Sequence, residues 1–470
     1  MYAPKPMTEV VSAPAAALAG AALQRKLTIY AGAGISAAAP TSLPGAAALA
    51  QRLVAQTKSV VSFAGVDEWD LEKVADQIAN RPQGEVLLID ALSRSADFLQ
   101  ARFSYSHSVM ALLIADGAAT VLEANYDDCI ERAAFPEHLP VAVTDSDRVD
   151  VNAGALLKIH GCATRPSTML VTTDHLNNAP LYAQAELAAR LSAGNVLFIG
   201  LGSPADYVRK SLQAFVSKVS AASLTVVDPK MSQWATTKWA TVMPDLPQAN
   251  RITSGADEFF DDLLRYYVNQ FLLAIEQKVS ALPAQHPQRL GTDAAIAALR
   301  ARDSVWLMRW LRFVGWRLRV GQSAIVSSRL IQSVLALGAL SAGNALFVST
   351  GGWAIYDGIQ VLVIASEDAP LGGGMAIEAI ARVTEARAND QLPPGGQVVV
   401  LCCGHTGSLG ADELSVSRGE TLADILLRVP SVAVSLPDNV LGVVEADHLI
   451  DFYSAGSVVL VHSEQLVDAA

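Results

Sequence analysis

Five short apolar runs between residues 27 and 227 each stop at glycine or at a polar group able to bind or react. They are Leu27–Tyr30, Ala119–Ala124, Ala155–Ile159, Asn195–Ile199 and Leu224–Val227. Their endings are Ala31-Gly32-Ala33-Gly34, Asn125-Tyr126-Asp127-Asp128, His160-Gly161, Gly200-Leu201-Gly202-Ser203 and Asp228-Pro229. Mainly apolar runs of this length suit strands buried on both faces of a parallel sheet. In an open α/β sheet, ligands sit at the carboxyl ends of the strands. Any one ending is compatible with a capped turn, but five in order predict a shared crevice.

The first ending, within Leu27–Ser36, combines a strand, a glycine pair and small residues. Glycine permits the tight turn and a close backbone approach to phosphate, and the N–H groups opening the next helix are expected to face the anion. Alone, Gly32-x-Gly34 fits a βα turn of any α/β domain. A nicotinamide dehydrogenase would carry an acidic residue about 20 positions later. Arg52–Phe63 holds none, and no G-K-[ST] follows the glycines, so the P-loop is excluded as well.

Helices are expected at Ala46–Lys58, Asp70–Asn80, Glu85–Leu99, His107–Ile114 and Phe259–Val279. Hydrophobic residues make up 51% of the 470 and charged residues 17%, enough for two or three packed domains. The net charge of −12 argues against nucleic acid or an anionic membrane as the main partner. The four cysteines, Cys129, Cys162, Cys402 and Cys403, form no C-x-x-C pair. No zinc ribbon or secreted disulfide framework is expected, and a reducing cytoplasm fits best. Met1–Leu23 reads as an arm leading into a helix rather than a signal peptide. No stretch reads as a transmembrane helix.

Taken together, Gly32-Ala33-Gly34-Ile35-Ser36, Asn125-Tyr126-Asp127, Lys158-Ile159-His160-Gly161, Ile199-Gly200-Leu201-Gly202-Ser203 and Val226-Val227-Asp228 follow the order of the sirtuin motifs. Lys26–Gln270 therefore resembles that family. The resemblance implies a Rossmann-like, sirtuin-type parallel sheet with NAD+ as substrate. It implies contacts to NAD+ from Gly32, Ala33, Gly34, Ile35, Ser36, Asp127, Gly200, Gly202, Ser203 and Asp228. Asn125 and His160 are the expected catalytic residues. Deacylase sirtuins carry a four-cysteine zinc module and an Arg-bearing loop after the glycines, and this chain has neither. It looks more like the zinc-less, sirtuin-like NAD hydrolases of bacterial anti-phage defence, so no zinc or other metal is expected.

In that reading, Asn125 orients a water, because an amide donates and accepts at once. His160 acts as general base toward a ribose hydroxyl, and Asp127 holds the nicotinamide carboxamide. On the residues alone other roles stay open. Asn125 and Asp127 also suit a turn and a helix N-cap, His160 a core histidine, Asp228 a turn starter, and Ser203 a helix cap.

The basic, aromatic segment Trp306–Arg319 is expected at an interface between domains or protomers. Beyond it, strands are expected at Ala345–Ser349, Gln360–Ile364, Gln397–Leu401, Ser431–Ser435, Val440–Val444 and Ser457–His462, making a second, smaller α/β domain. Val361–Glu378 runs from an apolar strand through Asp368 and Gly372-Gly373-Gly374 into a helix, and resembles the ADP-ribose-binding macro domains. The expected organisation is an arm (1–25), a catalytic domain (26–280), a helical linker or interface (281–322) and a nucleotide-sensing domain (323–470). The leading functional expectation is a cytoplasmic, homo-oligomeric NAD+ glycohydrolase. It would be regulated by an ADP-ribose-like signal at Asp368 and Gly372–Gly374, and could work with a partner protein of a defence system. The alternatives are an NAD-dependent protein deacylase and a non-catalytic NAD or ADP-ribose-binding scaffold.

Overall fold

The computed structural model describes residues 2–135, 137–150, 153–177, 195–202, 223–281, 283–284 and 287–313, with 334, 337–338, 340–341, 345–348, 353–356, 359–365, 398–403 and 458–462 from the rest. The chain divides into two compact units, residues 1–5 with 10–267, and residues 6–9 with 268–470. The first contains α1 (Ala13–Leu23), β1 (Leu27–Ala31), α2 (Gly34–Ala37), α3 (Ala46–Thr57), α4 (Leu71–Ala79), α5 (Gly84–Arg94) and α6 (Tyr105–Ala115). It continues with β2 (Ala119–Glu123), α7 (Cys129–Ala134), β3 (Val141–Ala142), β4 (Leu156–Lys158), α8 (Thr173–Asn177), β5 (Asn195–Ile199) and β6 (Leu224–Val227). Then come α9 (Lys238–Val242), β7 (Arg251–Ile252) and α10 (Ala256–Val279), whose last turns pass into the second unit.

The sheet has the order β3-β4-β2-β1-β5-β6-β7, and every pairing is parallel. Without the two-residue edge strand β3, this is the doubly wound 3-2-1-4-5-6 order. All five positions of β1 and of β2 are buried, as expected of strands covered on both faces. The five expected strands are present. The two that the sequence did not reveal, β3 and β7, are two residues each, too short to show a period.

Register decides where the chemistry sits. Ala31 pairs with Glu123 and with Ile199, Glu123 with Lys158, and Ile199 with Val227. The strands therefore end level, and the residues that follow them lie along one edge of the sheet. The switch point falls between β1 and β5, where the chain leaves the central strand in opposite directions.

One core cluster packs Tyr30, Leu122, Leu157, Phe198 and Val226 with Trp239 and Met243. A second joins α3, α4 and α5 through Leu49, Leu53, Val74, Ile78, Leu88 and Leu92, with Phe98, Met169 and Val171. Asp70 caps α4 by accepting from Lys73 N. Helix α5 ends at Arg94, short of the expected Leu99. The N-terminal arm is tied down: Tyr2 Oη and Lys5 N both donate to Asp261 Oδ2 at 2.9 Å, and Ser12 N donates to Asp262 Oδ2 at 3.1 Å. No helix among the described residues is long and apolar enough to cross a membrane.

In the second unit, α11 (Pro287–Arg300) and α12 (Ser304–Phe313) precede a sheet of β8 (Leu346–Val348), β9 (Trp353–Tyr356), β10 (Ile359–Ala365), β11 (Val398–Cys403) and β12 (Val458–His462). Its order is β12-β11-β10-β9-β8, parallel through β10, β11 and β12 and antiparallel at β9 and β8. Trp306 and Trp310 meet Phe347 edge-on, with centroids at 4.6 and 4.7 Å. Trp310 is 1% exposed, so this part of the aromatic segment serves the core of its own unit. The rest of that segment (314–319), the expected strands at Ser431–Ser435 and Val440–Val444, and the candidate residues Ser203, Asp368, Gly372, Gly373 and Gly374 lie outside the described residues.

Candidate active site at the strand ends

A cavity of ≈ 380 Å³ opens between the level strand ends and the α3–α5 helices. From the strand ends it is lined by Gly32, Ala33, Gly34, Ser36, Asn125, Asp127, His160, Gly200 and Gly202, and from the helical side by Leu43, Pro44, Gly45, Leu49, Leu71 and Phe98. The structure thus brings together nine of the eleven candidate residues that it describes. Ile35 is an exception, since it is 2% exposed and packs on Gly200. Asp228 is also outside the lining: it accepts from Lys230 N at 2.7 Å, the turn-capping role that the sequence left open.

The glycine stretch works through shape. Gly34 N donates to Gly200 O at 2.6 Å, Gly32 N to Ile199 O at 3.0 Å, Ile35 N to Gly32 O at 3.1 Å and Ser36 N to Ala33 O at 3.2 Å. These four donors are spent within the protein, which corrects the expectation that they face an anion. A Cβ on Gly34 would stand 2.6 Å from Gly200 O, and one on Gly32 2.8 Å from the same oxygen. The glycines allow the β1 and β5 turns to touch at the switch point.

Ser36 is the hub of the buried polar groups. His107, 0% exposed, accepts at Nδ1 from Ser104 N at 3.0 Å. A ring nitrogen that accepts is unprotonated, so the proton lies on Nε2 and is donated to Ser36 Oγ at 3.1 Å. Ser36 Oγ in turn donates a hydrogen bond to Asp127 Oδ2 at 2.9 Å. Asn125 Nδ2 donates to Ser36 Oγ and to Gly32 O, each at 3.3 Å. Asn125 is 5% exposed, and its Oδ1 is buried with no hydrogen-bond partner. Serine, histidine and aspartate meet here without forming a nucleophilic triad, because the aspartate holds the serine and the histidine Nδ1 is used by Ser104.

Asp127 Oδ1 accepts from Cys129 N at 3.1 Å. Burial pulls the Asp127 carboxyl up, but Lys158, His107 and its hydrogen bonds outweigh burial and hold it below the usual carboxylate range. Lys158 donates to the Asp127 carbonyl and to Glu123 Oε2, the latter at 2.8 Å, and Glu131 Oε1 lies 3.6 Å away. Burial alone would lower the Lys158 ammonium, but Glu123 and Glu131 raise it well above the usual range, so it stays charged.

His160 Nδ1 donates to Ala124 O at 3.1 Å, which leaves Nε2 as the basic nitrogen of the neutral ring. Burial lowers its pKa to about 4, against a smaller opposing effect of that hydrogen bond. Gly161 follows at φ +83°, with Thr168 O where its Cβ would be. This folds the 161–170 segment back, so that Leu170 N reaches His160 O at 2.9 Å and Ala163 N reaches Tyr126 O at 2.8 Å.

The buried donor atoms of His107, Asp127 and Cys129 lie within 4.8 Å of one another, a spacing compatible with a metal. Here they serve a hydrogen-bond network. His107 Nε2 and both Asp127 oxygens are engaged in hydrogen bonds, and burial pushes the Cys129 thiol up. Sequence reasoning missed His107 and Lys158 as site residues. The available signals were the Ser104-x-x-His107 capping pattern and a lone lysine closing an apolar run.

Residues 119–241 match the family described as SIR2-like domain. The match spans Asn125, His160, the Gly200–Gly202 turn and Asp228. No curated protein matches the sequence. A solved structure described as "Structural Basis for the Mechanism and Regulation of Sir2 Enzymes" is similar at 12% identity and a TM-score of 0.33, over 55% of this chain and 99% of that chain. The fold itself rests on strand order and register: a mixed α/β architecture with a parallel sheet of doubly wound order.

Proposed function

We propose that the first unit is an NAD+ glycohydrolase, which adds water across the nicotinamide–ribose bond to give nicotinamide, ADP-ribose and a proton. The observation that carries this reading is Asn125: a buried amide anchored through Nδ2, with an unpartnered acceptor, on the wall of a strand-end cavity. A Cβ on Gly45 or Gly202, both lining residues, would meet nothing within 4 Å, so the cavity keeps room there for a ligand. The SIR2-like match over residues 119–241 supports NAD+ as that ligand.

The nicotinamide ring already carries positive charge and leaves with the bonding electrons, so no strong acid is required. Asn125 Oδ1 accepts from the attacking water and orients it. Neutral His160, basic at Nε2, accepts from a ribose hydroxyl as positive charge develops on the sugar. Asp127 fixes Ser36, which fixes the Asn125 amide, and its remaining lone pairs would hold the carboxamide. In the second unit, β10 ends at Ala365, shortly before Asp368 and Gly372–Gly374, and pairs in parallel with β11. Their position in the chain just after a strand end supports Asp368 and Gly372–Gly374 as the residues that bind an ADP-ribose-like signal. The role assigned to the whole is an NAD-depleting effector of anti-phage defence.

The test is nicotinamide release from NAD+ by the purified chain, with and without ADP-ribose derivatives and with and without an acetylated peptide. Asn125→Ala and His160→Ala are expected to lose at least 100-fold in rate, the order of a general-base contribution. Wild-type rates in both variants, or acetyl-ADP-ribose formed in step with peptide consumption, would overturn the assignment.

A further inference from the structure

A second cavity, of ≈ 460 Å³, lies on the far side of the Ser36 hub, and the hydrolase proposal makes no use of it. Its lining includes two cations, Arg102 and Arg132, and three rings, Tyr2, Phe103 and Tyr105. In a chain of net charge −12, a cavity with this lining is out of keeping with the bulk composition.

The charge balance favours an anion. Arg102 is exposed and has no ion pair or hydrogen bond among the described residues. Arg132 is half committed, with Nε on Asp128 Oδ1 at 2.8 Å and Nη2 on Ala101 O at 2.5 Å. Asp257 is the carboxylate of the lining, and it is spent on Ser106 N at 2.8 Å and on the Ser106 hydroxyl. Arg132 is paired with Asp128 and Asp257 is spent on Ser106, which leaves Arg102 as the guanidinium of the lining with no carboxylate partner among the described residues. Guanidinium forks match phosphate oxygens.

The rings favour a planar group beside the anion. Tyr2 and Tyr105 stand 5.4 Å apart at 55°. Both hydroxyls donate to Asp261 at 2.9 Å, so the rings are fixed before any ligand arrives. Phe103 is 37% exposed beside them. The volume falls within the range for small-molecule sites. We infer that this cavity binds a nucleoside phosphate, with the phosphate on Arg102 and Arg132 and the base against Tyr2, Phe103 and Tyr105.

The two cavities are linked by one chain of hydrogen bonds. Ser104 lines the second, and its N and Oγ lie 3.0 and 2.7 Å from His107 Nδ1. His107 Nε2 reaches Ser36, which lines the first and holds Asn125. A ligand that shifts Ser104 thus acts on the candidate catalytic amide through one histidine, which makes the second cavity a regulatory site.

The test is calorimetric titration of the full chain with AMP, adenosine and inorganic phosphate, comparing wild type with Arg102→Glu and Phe103→Ala. Arg102→Glu is expected to remove one AMP equivalent, or weaken it at least tenfold, and Phe103→Ala to weaken it several-fold. Adenosine and phosphate should each bind at least tenfold more weakly than AMP. Identical AMP isotherms in wild type and Arg102→Glu would overturn the site, and phosphate binding as tightly as AMP would overturn the nucleoside assignment. These binding arms hold whether or not the chain hydrolyses NAD+. If nicotinamide is released, AMP should change the rate in wild type and leave Arg102→Glu unaffected; an equal response in both would remove the coupling.

Discussion

Lys158 Nζ lies 2.8 Å from Glu123 Oε2, and neither side chain reaches solvent. The two residues are register partners at the ends of β4 and β2. The same ammonium holds the Asp127 carbonyl, so the pair fixes the strand end from which Asn125 projects. Lys158→Met leaves a buried carboxylate without its partner and should cost about 3–5 kcal/mol. Adding Glu123→Leu to Lys158→Met should restore much of that loss. Urea unfolding of the two single variants and the double variant measures this coupling; a double variant as unstable as the sum of the singles would disprove it.

Ser36→Ala removes one acceptor that serves both His107 and Asn125, and one donor to Asp127. The expected cost in stability is about 1–3 kcal/mol, from buried groups left unmatched. The rate of nicotinamide release should fall at least tenfold with little change in the KM for NAD+, because the amide is misplaced while the cavity keeps its shape. A variant that loses affinity and keeps its rate would show that Ser36 serves binding instead.

Burial holds both His107 and His160 at a pKa of about 4, against about 6.5 in an unfolded chain. Between those values the unfolded chain takes up the protons and the folded one does not. Stability is therefore full above about pH 6.5 and falls as the pH drops toward 4, by roughly 3 kcal/mol per histidine. Denaturant midpoints at pH 7.5 and pH 5 should differ in wild type and differ less in His107→Gln. The hydrolytic rate should stay level down to about pH 5, because His160 remains an unprotonated base there; a rate falling through pH 6.5 would contradict the buried, neutral ring.

Gly161→Ala places a Cβ 2.0 Å from Thr168 O at a φ of +83°. The fold-back after His160 cannot form without moving backbone, and a loss of 3 kcal/mol or more is expected. Gly65→Ala is the matched control: φ is +81°, but nothing lies within 4 Å of the added Cβ. The difference in melting temperature between the two variants separates the clash from the left-handed conformation, and equal losses would show no clash at Gly161.

The five strands and their endings were readable because a parallel sheet writes itself as apolar runs, and its ligand edge as the residues that interrupt them. Asn125, His160, Gly32 and Gly200 were found by that rule. Asp228 follows the same rule yet serves its own turn, because a short acidic side chain before proline satisfies a backbone N–H whether or not a ligand is near. His107 was hidden because it sits within an apolar helix, where bonding to Ser104 reads as a cap, and its partner toward the site, Ser36, lies 71 residues away on another element. The spent donors of the glycine stretch were invisible for a related reason. Two of the four acceptors are local, but Ile199 O and Gly200 O come from a strand and turn more than 160 residues later, and local sequence carries no record of them.

That separation sets the order of assembly. The central strand β1 is translated well before β5, one of its two neighbours. Until Gly200 has left the ribosome, the Gly34 amide lacks its acceptor, and one wall of the strand-end cavity does not exist. Closing so long a loop is slow. A nascent chain therefore lacks the strand-end cavity until β5 and the Gly200–Gly202 turn have been made and set beside β1.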